Sequence, residues 1–182
     1  MLTRSAVVCL VITLVCAAPA PAQQDKNNDK FLTGDVWLGW VETLRPPDIM
    51  CAGGAPTGDV YPPYCTPETK RIVGRNELQV WMAYYPDPSV AAFVGGEIQF
   101  VVNCTMNSAY RGPCWGTFRW ELPGGARWEG SWTSPVMDLV TFESKMAMVG
   151  FGTGGAIDGK HLMFDGGSNP GDWFITGKVR IR

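Results

Sequence analysis

Three glycines carry the most suggestive spacing in the chain. Gly150, Gly152 and Gly155 stand in the G-x-G-x-x-G order of a dinucleotide-binding turn, and Gly154, Gly159 and Lys160 in that of a phosphate-binding loop. Both chemistries need a helix directly after the loop, because the amides at its N-terminus hold the phosphates. Here the glycines lead into a short strand pattern. His161 stands where a phosphate loop places its magnesium-binding Ser or Thr. The glycines are therefore read as turns and crowded strand crossings, and no cofactor is expected. His161 is the sole histidine, and no G-x-S-x-G supplies a nucleophile elbow. No second histidine or C-x-x-C completes a metal site. The segment 165–172 lacks the regular oxygen spacing and bidentate Glu of a calcium loop. Neither a metal nor a catalytic residue is assigned.

What remains is aromatic. Trp37, Trp40, Trp120, Trp128, Trp132 and Trp173 either fill a core or line the mouth of a pocket for an apolar or planar ligand, and Trp40, Trp120, Trp128 and Trp132 are taken from them as ligand-binding candidates. Glu42 falls by alternation on an otherwise apolar strand face, with Val36, Leu38, Trp40 and Leu44. A carboxylate there must be paired, hydrogen-bonded or protonated, unless the strand ends in water. Arg119 is the other polar group that a lumen would use. With those four tryptophans, Glu42 and Arg119 form the candidate ligand-binding set.

The elements that must position them follow from pattern. The N-terminus has Arg4, an apolar run of about 13 residues and a small–x–small site at Ala20-Pro21-Ala22. The run is shorter than the roughly 20 residues of a membrane span. Residues 1–22 thus read as a cleaved export signal, residues 23–33 as a polar, flexible leader, and 34–182 as a single domain. No stable membrane anchor is expected, and the expected location is outside the cell or in the periplasm. With Arg4 removed, 14 basic residues face 17 acidic ones, a net charge of −3. That balance does not suit nucleic acid. Cys51, Cys65, Cys104 and Cys114 remain after export, and four cysteines in such a chain read as two bridges. The local pairing Cys51–Cys65 and Cys104–Cys114 is expected, each closing a loop rich in Pro, Gly or Asn.

Alternation and turn residues dominate the remainder. Eight strands are expected, at 34–44, 72–85, 91–103, 114–122, 127–133, 139–151, 160–165 and 173–181. A proline-rich loop, 45–69, joins the first two. The fold class is all-β: an eight-stranded antiparallel β-barrel, disulfide-stapled. In the hairpin around Pro123-Gly124-Gly125, a three-residue loop sets Trp120 opposite Trp128 and Gly116 opposite Trp132. It also sets Arg119 opposite Glu129 and Glu121 opposite Arg127. A two-residue loop would scramble both faces.

The C-terminal half resembles the allene oxide cyclase barrel group, which includes dirigent proteins. The likeness rests on Trp115-Gly116-Thr117-Phe118, on Arg127-Trp128-Glu129-Gly130-Ser131-Trp132-Thr133, on Gly150-Phe151-Gly152-Thr153-Gly154-Gly155 with Asp158-Gly159, and on Phe174-Ile175-Thr176-Gly177-Lys178-Val179. It implies an eight-stranded barrel with a mostly apolar cavity and carries over no catalytic residue. The expected function is non-catalytic: a small apolar ligand bound in the barrel, or a scaffold role. The alternative is a cyclase or isomerase steering a hydrophobic substrate with Glu42 or Arg119. Homo-oligomerisation stays open.

Overall fold

The computed structural model describes residues 31–57 and 65–182. The segments expected to be an export signal and most of a leader, and part of the proline-rich loop, lie outside the described residues. Nine strands follow in order: β1 (Leu32–Arg45), β2 (Asp48–Ala52), β3 (Arg71–Tyr84), β4 (Glu97–Asn107), β5 (Arg111–Glu121), β6 (Arg127–Asp138), β7 (Ser144–Thr153), β8 (His161–Ser168) and β9 (Phe174–Ile181). Antiparallel pairing runs β1-β9-β8-β7-β6-β5-β4-β3, and β1 also pairs with β3, which closes an eight-stranded barrel. β2 is an addition the sequence reading did not contain. It pairs with Arg71–Arg75 of β3, beyond the stretch that β1 occupies. Pro46 and Pro47 separate β1 from β2, and prolines cannot donate to the ladder.

Three other expectations are corrected. The strand expected at 91–103 begins at Glu97, because Ala91–Phe93 forms a 3-10 turn. That turn lies over one barrel end, with Val90 and Val94 fully buried. The strand expected at 139–151 begins at Ser144. Its first residues form a turn built on Asp138, whose Oδ1 accepts from the amides of Val140 and Thr141, both at 2.9 Å. Burial raises the Asp138 pKa, but these two donors, the Thr141 side chain and the Arg111 charge together outweigh it. The net shift is downward. At the N-terminus, β1 begins at Leu32, inside the stretch assigned to the leader.

Both disulfides form as expected, Cys51–Cys65 and Cys104–Cys114. The second joins directly opposed residues of β4 and β5. The first ties β2 to the end of the long loop, where Pro56 and Cys65 also form a bridge.

The core is the barrel lumen. Trp120 and Trp128 face each other across β5 and β6, and Trp132 faces Gly116, in the register that the three-residue loop demands. Gly124 (φ 92°) and Gly125 (φ 84°) supply its left-handed positions. Gly116 has a second duty. A Cβ there would stand 1.7 Å from the Val101 carbonyl oxygen and 3.0 Å from the Trp132 indole nitrogen, so only glycine lets this ring cross the strand.

Candidate functional site

The expected ligand set is spread through three environments. Trp120, Trp128 and Trp132 are fully buried. Each indole N–H donates to a backbone carbonyl: Trp120 to Gly95 (3.2 Å), Trp128 to Phe93 (2.7 Å) and Trp132 to Val101 (3.1 Å). The first two pin the 3-10 segment over the barrel end. The third ties β6 to β4. All three rings are thereby committed to packing.

Trp40 opposes Trp81 on the inner register but is 52 % exposed, because the last β1–β9 pair is Gly39 with Phe174 and the wall opens beyond it. Glu42 does not face inward. Val41 is an extra residue in a β-bulge, so Glu42 opposes Val80 on the outer face and is exposed. Arg119 also lies outside. It does oppose Glu129, but its guanidinium bonds Glu121 along its own strand, and Arg127 stands in an ion pair with Glu129 at 3.1 Å without a hydrogen bond from its Nε. The expected cross-strand ion pairs are therefore replaced by pairs two residues apart.

The carboxylate that faces inward is Glu77, which the sequence reading missed. The ladder between β3 and β4 slips between Gly74 and Glu77, around Asn76 in a left-handed conformation (φ 59°), whose amide is held by Asn103 Oδ1. After this bulge Glu77, Gln79 and Trp81 oppose Val102, Phe100 and Ile98, all core residues. Leu78 and Val80 turn outward. The Val41 bulge in β1 also brings Thr43 opposite Gln79. The inner wall then carries a hydrogen-bonded chain. Trp81 Nε1 donates to Gln79 Oε1 (2.8 Å), Gln79 Nε2 donates to Glu77 Oε1 (2.8 Å), and the Thr43 hydroxyl donates to the same oxygen (3.5 Å). Burial pushes the Glu77 pKa up, against the smaller pull of these two donors. The Trp81 ring meets Phe100 edge-on, so the chain ends on the aromatic core. Polarity alone places Glu77 and Gln79 outside. The one local hint is Asn76, a residue type that tolerates the left-handed region.

A second cluster lies on the outer wall. Trp37 and Tyr84 oppose each other there, and Phe174 opposes Gly39. The Tyr84 and Phe174 rings close over Gly39, and a Cβ at that position would meet them at 2.8 and 2.9 Å. Trp37 contacts Phe174 (5.8 Å between centroids) and Tyr85 (5.7 Å). Tyr85 is 76 % exposed and holds φ 47°, a conformation that bulky residues seldom adopt. Thr176 and the Asp35–Lys178 ion pair (2.8 Å) stand beside the rings.

Two depressions of the described surface are open grooves outside the barrel. One, of about 320 Å3, is lined by Leu78, Gln99, Val101, Thr117, Arg119 and Glu129. The other, of about 410 Å3, lies over β2 and β3. His161 sits on the outer wall, edge-on to Phe151 at 4.5 Å. In place of nucleotide contacts, the glycine string makes close approaches: Gly150 faces the Phe118 ring, Gly152 faces the Ile157 carbonyl, and Gly154 and Gly155 make the turn. Among the described residues no cluster of His, Cys, Asp and Glu has the makings of a metal site. No family model, curated protein or solved structure matches this chain.

Proposed function

We propose that this is an exported, disulfide-stapled barrel that binds a small planar, apolar ligand without catalysis, on its outer aromatic face rather than in its lumen. One observation carries the reading. Trp120, Trp128 and Trp132 are fully buried with every indole N–H satisfied, while Trp37 and Tyr85 stand exposed beside Tyr84 and Phe174. A ring already packed and hydrogen-bonded gains little from a ligand. An exposed aromatic group has both its apolar face and its quadrupole to offer. Export is supported by the N-terminal apolar run and by two bridges, which persist in oxidising compartments. Charge is not distributed as in a bilayer-spanning barrel with a polar interior: Asp35, Lys178, Arg119, Glu129 and Lys145 face outward, while Trp120, Trp128, Trp132 and Phe100 fill the lumen.

The test is titration with Nile red, a neutral planar dye. Binding to the outer face is expected to weaken by about 10-fold or more in Trp37→Ala and in Tyr85→Ala. Binding that survives both substitutions and instead protects core amides from exchange would place the ligand inside. The second reading, a cyclase or isomerase of the resembled group, would then take over. Glu77 favours that reading, as an acid on the inner wall beside polar Gln79 and Thr43.

A further inference from the structure

We propose that the groove between β2 and the first half of β3 is an oxyanion site, taking a carboxylate, sulfate or phosphate group borne on an apolar body. The groove is lined by Met50, Cys51, Ala52, Arg71, Val73 and Arg75. Met50 opposes Val73 on the outer face and makes an apolar floor, with Met50 itself 64 % exposed. Arg71 and Arg75 flank it. Among the described residues neither has an acidic partner within ion-pair distance, whereas Arg111, Arg119, Arg127 and Lys178 each do. The nearest acid by register is Asp48, opposite Arg75, and its Oδ2 accepts from the Asn76 side chain at 3.2 Å.

Arg75 is also held in place. Its guanidinium lies over the Trp115 ring, 4.8 Å from the centroid, and its Nη1 is buried with no acceptor among the described residues. Stacking on an indole fixes the plane of the fork, and the remaining N–H groups match the spacing of two oxygens on one anion. The Asn76 bulge directs Arg75 to Trp115, and the Cys51–Cys65 bridge anchors β2, the opposite wall. A groove whose walls are held before binding loses less entropy when it is filled. This gives β2 a role that barrel closure does not require.

The experiment follows arginine Nε–H resonances of the full chain while naphthalene-2-sulfonate is added at constant ionic strength. Saturable shifts are expected at Arg71 and Arg75. Affinity is expected to fall 10-fold or more for the uncharged naphthalene-2-sulfonamide, for Arg71→Gln and for Arg75→Gln, and to stay within 2-fold for Arg119→Gln. Arg71→Gln leaves the Trp115 stack and the bulge intact, so its loss of binding cannot come from misfolding there. Equal affinity for the sulfonamide, shifts that never saturate, or binding unchanged in both arginine variants would overturn the site. Inorganic sulfate binding as tightly as the naphthalene anion would overturn the apolar body.

Discussion

The β5–β6 hairpin and the β1–β3 seam are built from similar alternating sequence and behave differently. From Cys114 to Glu121, each β5 residue opposes its β4 partner without a slip, and the hairpin register from Trp115 to Glu121 is equally regular. Every second residue therefore points the same way. The β1–β3 seam slips at Val41 and Leu44, and β3 slips again against β4 at Asn76. Each slip reverses the phase of alternation, because side chains alternate with a period of two. The hairpin thus yields a dry wall of packed rings. The seam yields Glu77, Gln79 and Thr43 on the inside, and Glu42, Leu78 and Val80 on the outside.

The largest expected effect lies in the hairpin. Trp132→Ala removes a fully buried ring and its bond to Val101, and it should lower stability by about 3–5 kcal/mol in a denaturant melt. Trp81→Ala, on the seam and only partly buried, should cost less. Equal losses would erase the contrast between the two walls.

The next effect is one of sign. Glu77 has its folded pKa raised above the ordinary 4.5 by burial, so the folded protein holds a proton there more tightly than the unfolded chain. Its contribution is fully present below pH 4.5 and is lost as pH rises through the folded value. Glu77→Gln is therefore expected to raise the midpoint of thermal unfolding at pH 7 and to give no gain near pH 4. Asp138, at the turn beyond β6, runs the other way. Its lowered pKa supports stability above the ordinary 3.8 and withdraws that support as pH falls through the folded value. Thermal melts of Glu77→Gln across pH 3–8 decide the sign, and destabilisation at pH 7 would mean that the ionised carboxylate is held by more than Gln79 and Thr43.

The smallest effect belongs to the outer face of the hairpin. Arg119→Ala removes a solvent-screened pair with Glu121 and should change stability by about 1 kcal/mol or less. A larger loss would show that the outer groove, and not only the core, organises this wall.

Much of the regular wall was legible in advance. Pro123-Gly124-Gly125 dictates a three-residue loop, and that loop sets the Trp120–Trp128 register without reference to any other strand. The disulfide pairs were legible for the same reason: each closes a short stretch of chain. Glu42 and Glu77 were not. Whether a bulge forms at Val41 or Asn76 depends on how β1, β3 and β4 share hydrogen bonds, and those partners are distant in sequence. The expected ligand set suffered likewise. Alternation says that Trp120, Trp128 and Trp132 point inward, but not whether the lumen has room to spare around them.

By itself the sequence determined the class of the fold, the hairpin register and the bridges, because local turn geometry and a two-residue period are enough for these. Tertiary structure alone decided which carboxylate faces the interior, that the tryptophans fill the lumen, and that β2 shares an edge of β3 to wall a groove. Those outcomes rest on long-range pairing and on the volume left after packing, which no single segment of chain encodes.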